Sequence, residues 1–586
     1  MKIDNVYTKI GFMAIAYFLI SLYFALPYRF FPGDEVTFLE QVQDTYEIND
    51  ISLNKFKKKG VSADVIEKLS SKKGTVYKYY DYRDTLVGML GQDDFNKYGK
   101  TILKHTKRPF LLSGILKTYQ PVFYLGLHIN KIIWGYFSND YNSTLAFSSA
   151  LCTSITLIFI ALIVYQITSS QYLCYLSLIL YSTSTWALSY YFFFSYMVFA
   201  AMFGTTSTYF LVLAYLKKKE EYIVAAGILS VLLLLSSTSS PPFIAVQAIA
   251  LYLLFRGQPG ALKKVFIFVA TMYITIAPLF SVFFYEFEVH LFQNITANNY
   301  ILSNNLPVKR ATPEIISILW AYNKVFVIYF FILLCIFFYK YLANRFTKKD
   351  TGNTGSKIDV NKRVLFALLS MFFLYTVLMA ITGYFTVTIV YFIIYPIFII
   401  VFFSLLNNDV SQRIILQRNS YKFTDKAIRF LHLAVIIAIV YSSLTDDIDL
   451  LKVRRETPQF LQTLISKHYK LYYISEDPHV SGIKTWLVSK VHKEFEFATV
   501  SKNTLNDIVN GRKDNEKIAI IIKGPDSLIG ELAPILNKGK RFALNYSGFF
   551  AFLLEDDVTR DMFFGGGITR TNHNLENQKI KVVLFE

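Results

Sequence analysis

At 586 residues with 53% hydrophobic side chains and a mean hydropathy of +0.37, the chain is too apolar for a soluble globular protein. With 42 Tyr and 54 Phe against 17% charged residues, that apolarity runs through most of the length and points to a polytopic α-helical membrane protein. The formal net charge of +18 is therefore read first as a topology marker and not as a nucleic-acid footprint. Cys152, Cys174 and Cys335 each lie inside an apolar run, which excludes a disulfide framework or a cysteine metal site.

The first apolar run, Ile10 to Leu26, follows Lys2 and Lys9. It is longer than a signal-peptide core and has no small-x-small cleavage site, so it reads as a retained span with its amino terminus inside. Further runs of spanning length cover 143–167, 171–190, 194–216, 222–236, 242–255, 265–285, 321–342, 364–383, 385–406 and 428–445, about eleven spans in all. The two short ones flank Ser236 to Pro242, where proline interrupts the helix and neighbouring hydroxyls satisfy the freed backbone groups.

Val122 to Phe137 is apolar but carries His128, Asn130 and Lys131, and charge decides its placement. If it does not span, the inner segments hold eighteen Lys and Arg, against Lys309 and Arg310 in the shorter outer loops. If it spans, sixteen of those eighteen move outside, against the positive-inside rule. It is therefore expected to lie on the outer surface, with Tyr124, His128 and Lys131 on one polar stripe.

This topology, amino terminus in and carboxyl terminus out, leaves a transmembrane domain over 1–445. A large first outer loop lies at 27–142 and an outer α/β domain at 446–586. Strand-like runs in the tail are Lys470 to Ile474, Ile518 to Ile522, Phe549 to Leu554 and Ile580 to Phe585, and helix signals precede His468 and cover Asp526 to Asn537. Gly565 to Gly567 reads as a hinge, since no helix signal follows it.

No Asp or Glu falls inside any of the eleven runs, which weighs against ion-coupled transport. The carboxylates crowd into the first outer loop, where Phe31-Pro32-Gly33-Asp34-Glu35 places an acidic pair just beyond the first span. The same loop carries Tyr79 to Asp84, rings and carboxylates of the kind that grip a sugar by stacking and hydrogen bonding, read first as an ordinary surface stretch. Asp93 and Asp94 offer a divalent ion two adjacent carboxylates, short of a complete ligand set, and no other cofactor is implied.

A first span, an outer loop opening on Asp34-Glu35, and a Pro-led aromatic helix from Tyr119-Gln120-Pro121 to Trp134-Gly135-Tyr136-Phe137 together resemble the GT-C glycosyltransferases. Within that fold the pattern is similar to the aminoarabinose-to-lipid A transferases and the protein O-mannosyltransferases. The resemblance implies transfer of a sugar from a polyprenyl-phosphate donor to a glycan or lipid-linked acceptor at the outer face of a bacterial inner membrane. Lipopolysaccharide or another envelope glycan is the expected acceptor. Asp34 matches the family's catalytic Asp, and Glu35 its neighbour.

The chain departs from the family pattern where phosphate would bind, with Gln120 before the loop proline and Ser237-Thr238-Ser239 where Thr-Lys is usual. Candidates for the donor phosphate by location are Arg108, Lys117, His128, Lys131, Lys309 and Arg310; each is equally compatible with a solvated or headgroup-facing cation. The rival readings are a polymerase or ligase of lipid-linked oligosaccharides and a non-enzymatic glycolipid transporter or assembly subunit.

Overall fold

The computed structural model describes residues 5–25, 45–108, 121–138, 143–184, 197–237, 240–278, 324–347, 356–382, 394–407, 432–441, 463–474, 497–500, 502–512, 516–522, 526–537, 540–543 and 581–585, with single positions at 187, 430 and 444. Three hydrophobic cores organise them: a helical bundle, a small module between the first two bundle helices, and a tail sheet.

The bundle begins with α1 (Asn5–Ala25). After the module, which holds α2 to α5, come α6 (Pro121–Gly135), α7 (Ser143–Thr168), α8 (Gln171–Ser182), α9 (Met197–Lys217), α10 (Glu221–Ser236) and α11 (Pro241–Phe255). It continues through α12 (Ala261–Pro278), α13 (Lys324–Thr347), α14 (Ser356–Thr382), α15 (Ile394–Asn407) and α16 (His432–Tyr441). Five of these, α1, α7, α9, α12 and α14, are long and apolar enough to cross a membrane. Among the shorter apolar helices are α10 and α11, separated at Ser237–Ser240 as the proline signal requires, with Ser240 Oγ donating to the Ser237 carbonyl at 2.6 Å.

Contacts between helix ends sort the basic residues. Gln166 Nε2, near the end of α7, donates to Tyr7 Oη near the start of α1 at 3.1 Å. Lys263 at the start of α12 pairs with Glu220 before α10 at 3.2 Å, and Arg363 in the first turns of α14 donates to the Arg256 carbonyl at the end of α11 at 3.2 Å. Lys217 to Lys219, Arg256, Lys263, Lys264 and Arg363 thus gather at one end of the bundle. Phe18–Phe147 and Phe123–Phe199 ring contacts, at 5.9 and 5.6 Å, mark the opposite end.

One polar network runs through the apolar interior. Ser207 on α9 meets Ser230 on α10 (2.9 Å), Ser230 Oγ reaches Gln247 Oε1 on α11 (3.0 Å), and Gln247 Nε2 donates to Thr208 on α9 (3.3 Å). Thr208 in turn donates to the Gly204 carbonyl at 2.8 Å. Ser207 Oγ and Ser230 Oγ also reach the Ala226 carbonyl, at 3.1 and 2.9 Å, so these hydroxyls, each with one proton to give, share acceptors in a network that joins three helices.

The module spans 45–108. β1 (Thr45–Glu47) is flanked antiparallel by β2 (Val76–Lys78) and β3 (Lys107–Arg108). Helices α2 (Asp50–Lys58), α3 (Ala63–Ser70), α4 (Tyr79–Leu90) and α5 (Gln92–Thr106) complete it. A reciprocal cap starts α2: Asn49 Oδ1 accepts from Ser52 N, and Ser52 Oγ accepts from Asn49 N, both at 2.9 Å. Tyr79 to Asp84, expected as a surface stretch, is instead the start of α4. Tyr82 is fully buried and stacks on Tyr46 at 5.2 Å, so at least this ring is committed to packing.

In the tail, β4 (Lys470–Ile474), β5 (Phe497–Thr499), β6 (Ile518–Ile522), β7 (Lys540–Ala543) and β8 (Lys581–Phe585) form one mixed sheet in the order β5-β4-β6-β8-β7. β4 pairs parallel with β5 and β6, while β8 runs antiparallel to β6 and β7. Every residue of β6 is buried, which is why it reads as an unbroken apolar run and not as an alternating one. Helices α17 (Lys502–Asn510) and α18 (Asp526–Leu536) supply Leu505, Leu532 and Leu536 to the core. The expected strand at Phe549 to Leu554 and the hinge at Gly565 to Gly567 lie outside the described residues.

Candidate functional site at the less basic end of the bundle

The end of the bundle opposite the basic cluster is organised by α6. Pro121 opens the helix, where its fixed φ and missing N–H cost nothing. Phe123, Tyr124, Leu127, Asn130 and Trp134 form its buried stripe, at the three- and four-residue spacing of one helix face. Phe123 sets its ring edge-on to Phe199 of α9. Gly126 makes this approach possible, since a Cβ there would overlap the Phe199 ring, with Cζ 2.9 Å away.

Two polar contacts then fix α6 against α7. Asn130 Nδ2 donates to Ser148 Oγ at 3.0 Å in a fully buried contact, and Trp134 Nε1 donates to Ser143 Oγ. The Trp134 ring stacks on Phe147 at 5.1 Å and 21°, and Phe147 meets Phe18 of α1. Asn130, which on the sequence merely interrupts an apolar run, is thus an internal anchor. Its only sequence signal was its place on the stripe of Phe123, Leu127 and Trp134.

The opposite side of α6 exposes Ile129, Ile132, Ile133, Tyr136 and Phe137, an apolar face suited to lipid. The polar stripe expected for Tyr124, His128 and Lys131 is thereby corrected in one member. Tyr124 is 1% exposed and belongs to the packed face beside Phe123, whereas His128 and Lys131 are half-buried on the flank. The error has a plain cause: a tyrosine carries more apolar surface than its hydroxyl suggests.

Of the other candidates, Arg108 lies in β3, its backbone in register with Thr45, at the exit of the module toward α6. Asp34, Glu35, Lys117, Lys309 and Arg310 lie outside the described residues. Asp93 and Asp94 occupy the first turn of α5 after Gly91, whose φ is +81°, where carboxylates favour the helix dipole. Among the described residues, no group of three or more His, Cys, Asp or Glu is gathered for a metal ion.

No family model matches the chain, and no curated protein matches it. Its fold is similar to a solved structure, "ArnT from Cupriavidus metallidurans bound to Undecaprenyl phosphate", over 97% of each chain. The identity is 12% and the TM-score 0.42.

Proposed function

We propose that the protein is an integral membrane glycosyltransferase that moves a sugar from a polyprenyl-phosphate donor to a glycan or lipid-linked acceptor. Its outer, less basic face would be the site of transfer, in a bacterial inner membrane with the basic end of the bundle inside. The observation that carries the reading is the junction at that face. There α1 leaves the bundle beside Phe147, α6 is bolted to α7 and α9, and the lipid-suited side of α6 flanks His128 and Lys131. Asp34 lies nine positions past Ala25, the end of α1, a tether of at most about 32 Å, which keeps the acidic pair within reach of a lipid-level donor.

In this mechanism Asp34 accepts the proton of the acceptor hydroxyl as that oxygen attacks the anomeric carbon, which inverts the centre. The bond to the phosphate oxygen breaks and the polyprenyl phosphate departs with the electron pair. Such a leaving group needs no proton but does need positive charge or hydrogen-bond donors, the role proposed for Arg108, Lys117, His128, Lys131, Lys309 and Arg310. Glu35 orients the base or the acceptor. The test is transfer by membranes carrying Asp34→Asn. Turnover should fall roughly 100-fold or more with insertion unchanged, and Glu35→Gln should cost less. Full activity in both variants would remove the pair from the mechanism.

A further inference from the structure

The module between α1 and α6 carries a row of amines that neither the catalytic reading nor the packing of its core employs. Residues 45–108 hold fourteen Lys and Arg against eight Asp and Glu, and the excess is concentrated. Lys55 and Lys59 stand four residues apart at the end of α2, and Lys100 and Lys104 four apart on α5; that spacing puts each pair on one helix face. All four are exposed. The two helices pack on one another, Phe56 of α2 and Ile102 of α5 sharing the module core, and His105 in the last turn of α5 lies in the field of Lys55, Lys104 and Lys59. Its imidazole accordingly titrates below the ordinary histidine range, through partial desolvation first and those lysines next. The nearest acid in α2, Asp50, sits at the far end of that helix in an ion pair with Lys73 at 2.7 Å, and the acids of α5 occupy its first turn.

Like charges at this density repel in the absence of a partner. We infer that the Lys55, Lys59, Lys100 and Lys104 row is a docking surface for the anionic lipid headgroups of the bilayer. Three features select that partner. The module is tied to membrane helices on both sides, by residues 26–44 and by residues 109–120; the shorter link of twelve residues spans at most about 43 Å. It therefore stays near a membrane face whichever side that face is on. The row is built of lysines alone, compact charges without the planar fork that gives arginine its bidentate selectivity for one phosphate, and juxtamembrane lysines attract an anionic leaflet in this nonspecific way. It also lies across two helix ends, so its charge is displayed as a surface and not gathered at one point. The inference is independent of the transferase reading and of which end of the bundle is inside.

The test uses the full chain in nanodiscs of 30% phosphatidylglycerol in phosphatidylcholine, and of phosphatidylcholine alone. Lysine acetylation rates are read residue by residue by mass spectrometry at low salt. Lys55, Lys59, Lys100 and Lys104 should react roughly fivefold more slowly on the anionic discs, the scale of one surface lysine's attraction, while Lys470, paired with Glu516 in the tail, keeps one rate. Raising the salt to about 0.5 M shortens the screening length to a few ångströms and should abolish the difference. Equal rates on the two discs, or protection that survives high salt, would overturn the inference. So would equal protection on neutral discs by inorganic phosphate or a soluble phosphosugar, which would make the row a site for free anions. Lys55→Gln with Lys59→Gln should weaken the protection left at Lys100 and Lys104; undiminished protection there would refute the shared surface.

Discussion

Gln247 sits fully buried in an apolar helix, and its hydrogen bonds make an asymmetric prediction. In Gln247→Leu the volume is nearly kept and no donor is stranded. Ser230 can turn its proton to the Ala226 carbonyl 2.9 Å away, and Thr208 still gives its proton to Gly204. Only two interhelical bonds are lost, and in membrane interiors each is worth on average about 0.6 kcal/mol, so the cost should be about 1 kcal/mol. The converse variant, Ser230→Ala with Thr208→Val, keeps the amide and removes both partners. An amide oxygen and an N–H are then buried unpaired at about 1–3 kcal/mol each, roughly 3 kcal/mol together after relaxation. The difference of about 2 kcal/mol exceeds a decade in the unfolding equilibrium. Reversible unfolding by SDS in mixed micelles, followed by tryptophan fluorescence, would measure it. A Gln247→Leu variant as damaged as the double variant would show that the network does not work as a set of separable donors.

Gly126→Ala should loosen α6 by displacing the Phe199 ring, costing on the order of 1–3 kcal/mol as other overpacked sites do, and Phe199→Leu should restore most of the loss; an unaltered melting profile would refute the close approach. Replacing Lys117, Lys309 and Arg310 singly by Gln should weaken donor use roughly tenfold where the cation meets the phosphate, about 1.4 kcal/mol, and unchanged kinetics in all three would leave the phosphate without these partners. For topology, a cysteine introduced near Gly352 should react with an impermeant maleimide only after permeabilisation, and one near Asn572 in intact cells. Equal labelling of the two would reverse or break the proposed orientation.

Much of the helical plan was legible because apolar runs and prolines act locally. The break at Ser237–Ser240 and the start of α6 at Pro121 follow from what proline does to a backbone. β4, β6 and β8 were visible as compact apolar or β-branched runs. β5, β7 and α17 were not: the two strands are only three and four residues long, too short for any period to stand out, and their pairing with distant strands supplies the stabilisation. The same limit applied at the candidate site. Asn130 and Gln247 each look like a blemish in an apolar helix, and only the hydroxyls brought by neighbouring helices show what they bind. Tyr124 and Tyr82 went the other way, since a sequence shows the hydroxyl and conceals how much of the ring is packed.

The strand order of the tail also sets a timetable. Among the described strands β8 lies between β6 and β7 and joins them in the sheet, yet it is the last of the five to be synthesised. While the ribosome is still translating, β4, β5 and β6 can assemble, but the all-apolar β6 must wait with one bare edge and β7 has nowhere to pair. An unpaired apolar edge is a template for other chains. Such nascent tails should therefore depend on a chaperone, and chains cut short before β8 should be cleared by proteolysis even though every bundle helix is already made.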